Sequence, residues 1–149
     1  MTPLAIASDH GGFALKEALK QALMQWGIAF EDLGPFDPSS CDYPDYAHLM
    51  ARVIGQGRFP RGVLICGTGV GMSMAANRHP HIRAAVVSDT YSARMAREHN
   101  DANVLCMGER VVGQGLACDI LRVFLDTPSD SSDRHARRIA KLSPGEPVE

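Results

Sequence analysis

Five short apolar runs, each followed by a longer stretch with helix-spaced hydrophobic residues, constrain this chain more than any other feature. The runs cover residues 4–7, 28–33, 63–65, 84–87 and 104–107. Strands apolar along their whole length are covered on both faces, as in parallel sheets, rather than half-exposed. Helical spacing is clearest over 13–26, where Leu15, Ala18, Leu19, Ala22, Leu23 and Trp26 recur, Lys16, Glu17, Lys20 and Gln21 face away, and Gly27 ends the helix. Further helices are predicted over 45–54, 70–77, 90–98, 115–125 and 135–142, with a turn-rich loop over 34–44. The alternation predicts an α/β chain: a single Rossmann-like three-layer domain with a five-stranded parallel sheet covered by helices on both faces, plus a C-terminal helix. Such sheets bind ligands outside the carboxyl ends of their strands, beside a switch in strand order. The loops after strands one, three and four or five therefore carry the functional reading.

Composition narrows the class. With 149 residues, 45% hydrophobic and 21% charged, the chain can bury one core without staples, assigned to residues 1–143, with 144–149 as a frayed, flexible tail. A formal charge of −2 provides no basic field for nucleic acid and no polybasic membrane anchor. No apolar run approaches the ~20 residues of a membrane span, and the first residues lack a signal peptide's charged start and long apolar core. A cytoplasmic protein with reduced thiols is expected. Cys41, Cys66, Cys106 and Cys118 show no C-x-x-C spacing, so neither zinc nor a disulfide framework is indicated. Twelve arginines against three lysines fit either codon bias or recognition of phosphate by the planar guanidinium.

The loop after the third strand, Cys66-Gly67-Thr68-Gly69-Val70-Gly71, is the strongest chemical feature. Its glycines let backbone N–H groups approach an anion closely, and a helix starts immediately after. It is neither a Walker A loop, lacking the Lys-Ser or Lys-Thr, nor the dinucleotide fingerprint. A thiol at a helix entrance is a candidate base or nucleophile; the plainer reading is a small buried hydrophobe. Asp9-His10-Gly11-Gly12, after the first strand, could hold hydroxyls and an anion, or Asp9 could simply cap the next helix. His99-Asn100-Asp101 is a polar trio that a helix end alone could explain. Arg134 and Arg138, four apart, share a helix face that suits a phosphate clamp or a solvated basic surface. His79 and His81 read as surface residues, and Cys41, Cys106 and Cys118 as structural.

Taken together, Ser8-Asp9-His10-Gly11-Gly12-Phe13, Asp42-Tyr43-Pro44, Ile65 to Gly71, Arg97 to Leu105 (with its His-Asn-Asp-x-Asn run) and Arg134-His135 resemble the ribose-5-phosphate isomerase B family, in that family's order and over nearly the whole chain. The family includes galactose-6-phosphate and allose-6-phosphate isomerases. The resemblance implies aldose–ketose isomerisation through a cis-enediolate, without cofactor or metal. By position, Cys66 matches the base at C2, Thr68 with the Gly67, Gly69, Val70 and Gly71 backbone supports the enediolate, and His99 matches the residue that opens the sugar ring. Asp9, His10, Tyr43 and Asn100 match sugar contacts, and Arg110, Arg134 and Arg138 match phosphate ligands. Members lacking the cysteine carry Glu at the position of Val70, which places this chain with the thiol-using branch. The expected partners are a phosphorylated sugar and a second copy of the chain. The copies would form a homodimer with shared active sites, or a tetramer, with His99, Asn100 and Arg110 reaching into the neighbour's site. A hexose- or tetrose-phosphate isomerase, and a non-catalytic module binding a phosphorylated ligand, are the competing readings.

Overall fold

The computed structural model describes residues 3–145, so most of the tail expected over 144–149 lies outside the described residues. The elements run β1 (Leu4–Ser8), a 3-10 turn (His10–Gly12), α1 (Phe13–Gln25), β2 (Phe30–Asp32), α2 (Tyr43–Gly55), β3 (Arg61–Cys66), α3 (Val70–Ala76), β4 (Ala84–Val86), α4 (Thr90–Glu98), β5 (Val104–Gly108), α5 (Gln114–Asp126) and α6 (Asp133–Ala140). All pairings are parallel and the strand order is β2-β1-β3-β5-β4, as the apolar runs predict. Alternate strand residues feed two cores. Ile6, Val63, Ile65, Leu105 and Met107 pack with α1, α4 and α5, while Ala5, Ala7, Leu64, Cys66 and Cys106 pack with α2 and α3.

The chain leaves β1 toward β2 on one side and crosses to β3 on the other, so the order switches between β1 and β3. The loops leaving these two strands flank the resulting crevice. They are the Asp9–Gly12 turn and the Cys66–Gly71 loop.

Three expectations are corrected. The strand expected over 28–33 keeps only Phe30–Asp32, because its ladder with β1 is limited to Leu4↔Phe30, Ala5↔Glu31 and Ile6↔Asp32. Ile28 is instead buried in the turn that follows α1. The helix expected from 45 begins at Tyr43, with Pro44 in the first turn, where its missing N–H is no loss. Lys16 does not face solvent. It is fully buried, with Nζ 2.8 Å from Asp32 Oδ1 and a further bond to the carbonyl of Pro35. Lys20 reaches Asp32 Oδ2 at 2.7 Å. A buried ammonium survives only with such partners, and these tie α1 to β2 and to the loop leading to α2.

Candidate active site

Asp9 is buried at the end of β1. Its Oδ1 accepts the Gly12 N–H at 3.1 Å, so it caps the 3-10 turn as its residue type suggested. Gly12 lies so close to β3 that a Cβ would stand 2.5 Å from the Ile65 carbonyl oxygen; that contact is why a side chain is excluded there. His10 is exposed and fixed through Nδ1, which lies 3.2 Å from the Cys41 backbone N and 3.1 Å from its carbonyl oxygen. Tyr43 enters from the first residue of α2, with its ring over Gly71.

Across the crevice, Cys66 closes β3 with its thiol buried, and Sγ accepts the Gly69 N–H at 3.1 Å. Gly69 takes φ +80° at the start of α3, the left-handed conformation that turns the chain from the loop into the helix. The Val70 N–H donates to Thr68 Oγ1 at 3.3 Å, holding the threonine at the rim. Asp9, Tyr43, Cys66, Gly67, Thr68, Val70, Gly71 and Met74 line one cavity of about 400 Å³. Met74 was missed by sequence reasoning. Its place three and four residues after Gly71 and Val70 puts it on their helix face, and that was the available signal.

Arg110 also belongs to this end. The Glu109 and Arg110 N–H groups donate to the carbonyls of Cys66 (2.9 Å) and Gly67 (3.1 Å), because β5 pairs with β3. The guanidinium arm lies over Gly67, within 3.8 Å of where a Cβ would be. Arg110 thus stands over the glycine loop of its own chain. Glu109 Oε1 accepts the Leu15 N–H at 2.7 Å and anchors this turn to α1.

His99, Asn100, Arg134 and Arg138 do not join Cys66. Asp101, which follows His99 and Asn100, lines a cavity with Arg61 at the start of β3, at the amino ends of the strands. Cys66 ends the same strand, roughly 17 Å away at 3.3 Å per residue. His99 caps the C-terminus of α4 and stacks on His135 of α6, while Arg134 and Arg138 are exposed on that helix. Each chain thus carries two clusters at opposite ends of one sheet. Of the other candidates, His79 is half-buried rather than a surface residue, with Nε2 2.7 Å from His48 Nδ1. Cys106 is fully buried, and burial pushes its thiol far up, out of reactive range.

A doubly covered parallel α/β domain with a thiol, a carboxylate and a glycine-rich N–H loop at its topological switch point defines the class of a small-molecule enzyme rather than a scaffold. The family model described as Ribose/Galactose Isomerase matches residues 4–142, and the chain belongs to that family. Ribose-5-phosphate isomerase B of Escherichia coli is 41% identical over 143 residues, covering 96% of this chain and 95% of that one. A D-erythrulose-4-phosphate isomerase of Pectobacterium atrosepticum is 41% identical, with 85% and 84% covered. The solved structure of a ribose 5-phosphate isomerase from Thermotoga maritima matches with a TM-score of 0.92 and 48% identity, covering 95% of this chain and 97% of that chain. The chain is accordingly an isomerase of the sugar-phosphate type. No helix among the described residues is long and apolar enough to cross a membrane.

Proposed function

We propose that this chain interconverts ribose 5-phosphate and ribulose 5-phosphate in the cytoplasm through a cis-enediolate. The observation that carries the reading is the convergence of Cys66 Sγ, Asp9, Tyr43 and the Gly67–Gly71 backbone on one cavity. Cys66, as thiolate, takes the C2 proton. The electron pair moves into the C1–C2 bond, and charge develops on the former carbonyl oxygen. Thr68 and the backbone N–H groups of Gly67 and Gly71 donate to that oxygen, while the Gly69 N–H stays on Cys66 Sγ and the Val70 N–H on Thr68 Oγ1. Passage of the O2 proton to O1 within the cis-enediolate, and return of the proton held by Cys66 to C1, complete the isomerisation and leave the carbonyl at C2. Asp9, His10 and Tyr43 orient the sugar hydroxyls, and Arg110 holds one side of the phosphate.

Ring opening and the rest of the phosphate clamp fall to His99, Asn100, Arg134 and Arg138. They lie at the far end of their own sheet, so in this reading they serve the Cys66 loop of a two-fold related copy. Two-fold symmetry makes the exchange reciprocal and completes two sites per dimer. A tetrose phosphate is the second reading, favoured by the identity to the D-erythrulose-4-phosphate isomerase. The test compares kcat/KM for aldose phosphates of four, five and six carbons. A maximum at ribose 5-phosphate supports the proposal and equal rates across the panel overturn the substrate. Absence of turnover on all of them, with binding retained, leaves a phospho-ligand module.

A further inference from the structure

Helix α6 is held to the domain in an unusual way. Of its eight residues only His135 is buried, at 5% exposure, while Arg134, Arg137 and Arg138 point outward. An apolar residue would anchor such a helix without burying polar nitrogens. Here the anchor is an imidazole lying face to face on His99, with ring centroids 4.4 Å apart and planes inclined by 14°. His135 Nε2 has no hydrogen-bond partner among the described residues, although Asp130 Oδ2 stands 3.4 Å away. Asp130 is itself fixed: its carboxylate accepts from Ser132 N and Oγ, and its own N–H donates to the carbonyl of Glu98 at 2.8 Å, one residue before His99.

A buried polar ring with an unsatisfied nitrogen costs free energy, and packing an α6 anchor does not require it. What a flat ring supplies and an aliphatic side chain does not is a plane. We propose that His135 is a positioning residue that sets the ring orientation of His99 and couples it to the arginines of α6. Stacking fixes the torsion of the His99 imidazole and leaves its nitrogen-bearing edge free in a half-exposed position. Because the same ring is the buried anchor of the helix bearing Arg134 and Arg138, the spacing between His99 and the phosphate clamp is set by this one contact. Burial, followed by the charges of His99 and Arg134, holds the His135 imidazole below its ordinary pKa.

The inference rests on the ring-opening role given to His99 above, and its test separates the two. His135→Phe keeps a planar face, whereas His135→Leu and His135→Met fill the space without one. Imidazole resonances of His99, assigned with His99→Gln, are followed by proton–nitrogen NMR in each variant, alongside kcat, KM and melting temperature. Near-wild-type His99 resonances and kcat are expected in His135→Phe. In the folded non-planar variants the His99 resonances shift, and kcat falls by up to about 100-fold with KM little changed, as misplaced reacting groups do. Should His135→Leu not fold, the more adaptable Met variant carries the comparison. Unaltered His99 resonances in either folded non-planar variant overturn the proposal. A wild-type protein with no isomerase activity counts against the function alone, since the NMR comparison reads the stack directly.

Discussion

At the scale of single residues, Cys66 and Gly69 act as a pair. The sulfur is placed by β3 and meets the Gly69 N–H, and Gly69 itself takes a left-handed backbone at the start of α3. Cys66→Ala is expected to lower kcat by ~10²–10⁴-fold, the usual worth of a general base, while sugar-phosphate binding persists in a direct titration. A variant keeping more than a tenth of wild-type kcat would remove Cys66 from that role. Gly69→Ala carries two penalties. The left-handed conformation costs a β-carbon roughly 1–2 kcal/mol, and that carbon would stand 2.9 Å from the Met107 backbone in β5, which cannot move aside. Urea unfolding should show a loss of at least that size. An unchanged midpoint would mean that the loop relaxes to another conformation.

At the scale of elements, two attachments invite measurement. The first joins α1 to β2 through Lys16, Lys20 and Asp32. Burial pushes the Asp32 carboxyl up, but hydrogen bonds from Lys16, Lys20 and the Gly34 N–H outweigh it and hold the group below its ordinary value. A carboxyl lowered on folding adds stability above its unfolded pKa of about 3.9, and that contribution is lost as pH falls through the folded value. Asp32→Asn should therefore flatten the decline of melting temperature below about pH 4; an identical acid limb in wild type and variant would contradict this. Lys16→Met should cost about 3 kcal/mol, the lower end for breaking a buried pair, because Lys20 remains on Asp32. The second attachment is α6. Arg134 and Arg138 share a face, so Arg138→Ala should raise KM for the phosphorylated sugar well beyond its effect on the unphosphorylated analogue. Charge-assisted bonds contribute about 1.5–3 kcal/mol. Equal losses on both substrates would assign the arginine to the fold.

At the scale of the whole molecule, the separation of the two clusters makes a prediction that no single-site argument could. Neither a Cys66→Ala dimer nor a His99→Ala dimer contains a complete site if the sites are shared. Mixed dimers contain one doubly damaged site and one intact site. Random exchange makes half the dimers mixed, so activity should recover to roughly a quarter of wild type. The assay supplies ring-closed sugar, and exchange is verified by mass. Verified exchange without recovery would mean that each chain builds its own site.

The alternation of strands and helices, the parallel sheet and the two loops at its switch point were legible in the amino-acid order alone. Each of these is written in local periodicity: apolar runs demand two covered faces, and glycine spacing demands a close backbone. For that reason the turn carrying Asp9 and the glycine loop entered by Cys66 stood out before any fold was known, whereas the role of Thr68 came from the resemblance alone. Whatever depends on neighbours distant along the chain emerged only with the folded arrangement. Helical spacing put Lys16 on the outside; Asp32, sixteen residues away, brought it in. The place of the Arg110 side chain over Gly67 follows from the β3–β5 pairing, which no local pattern announces. His135 carried no periodic signal, since it is buried against His99 at the end of α4, distant along the chain. Periodicity records which face of an element is covered, whereas the partner that covers it is fixed only when the sheet order brings the elements together.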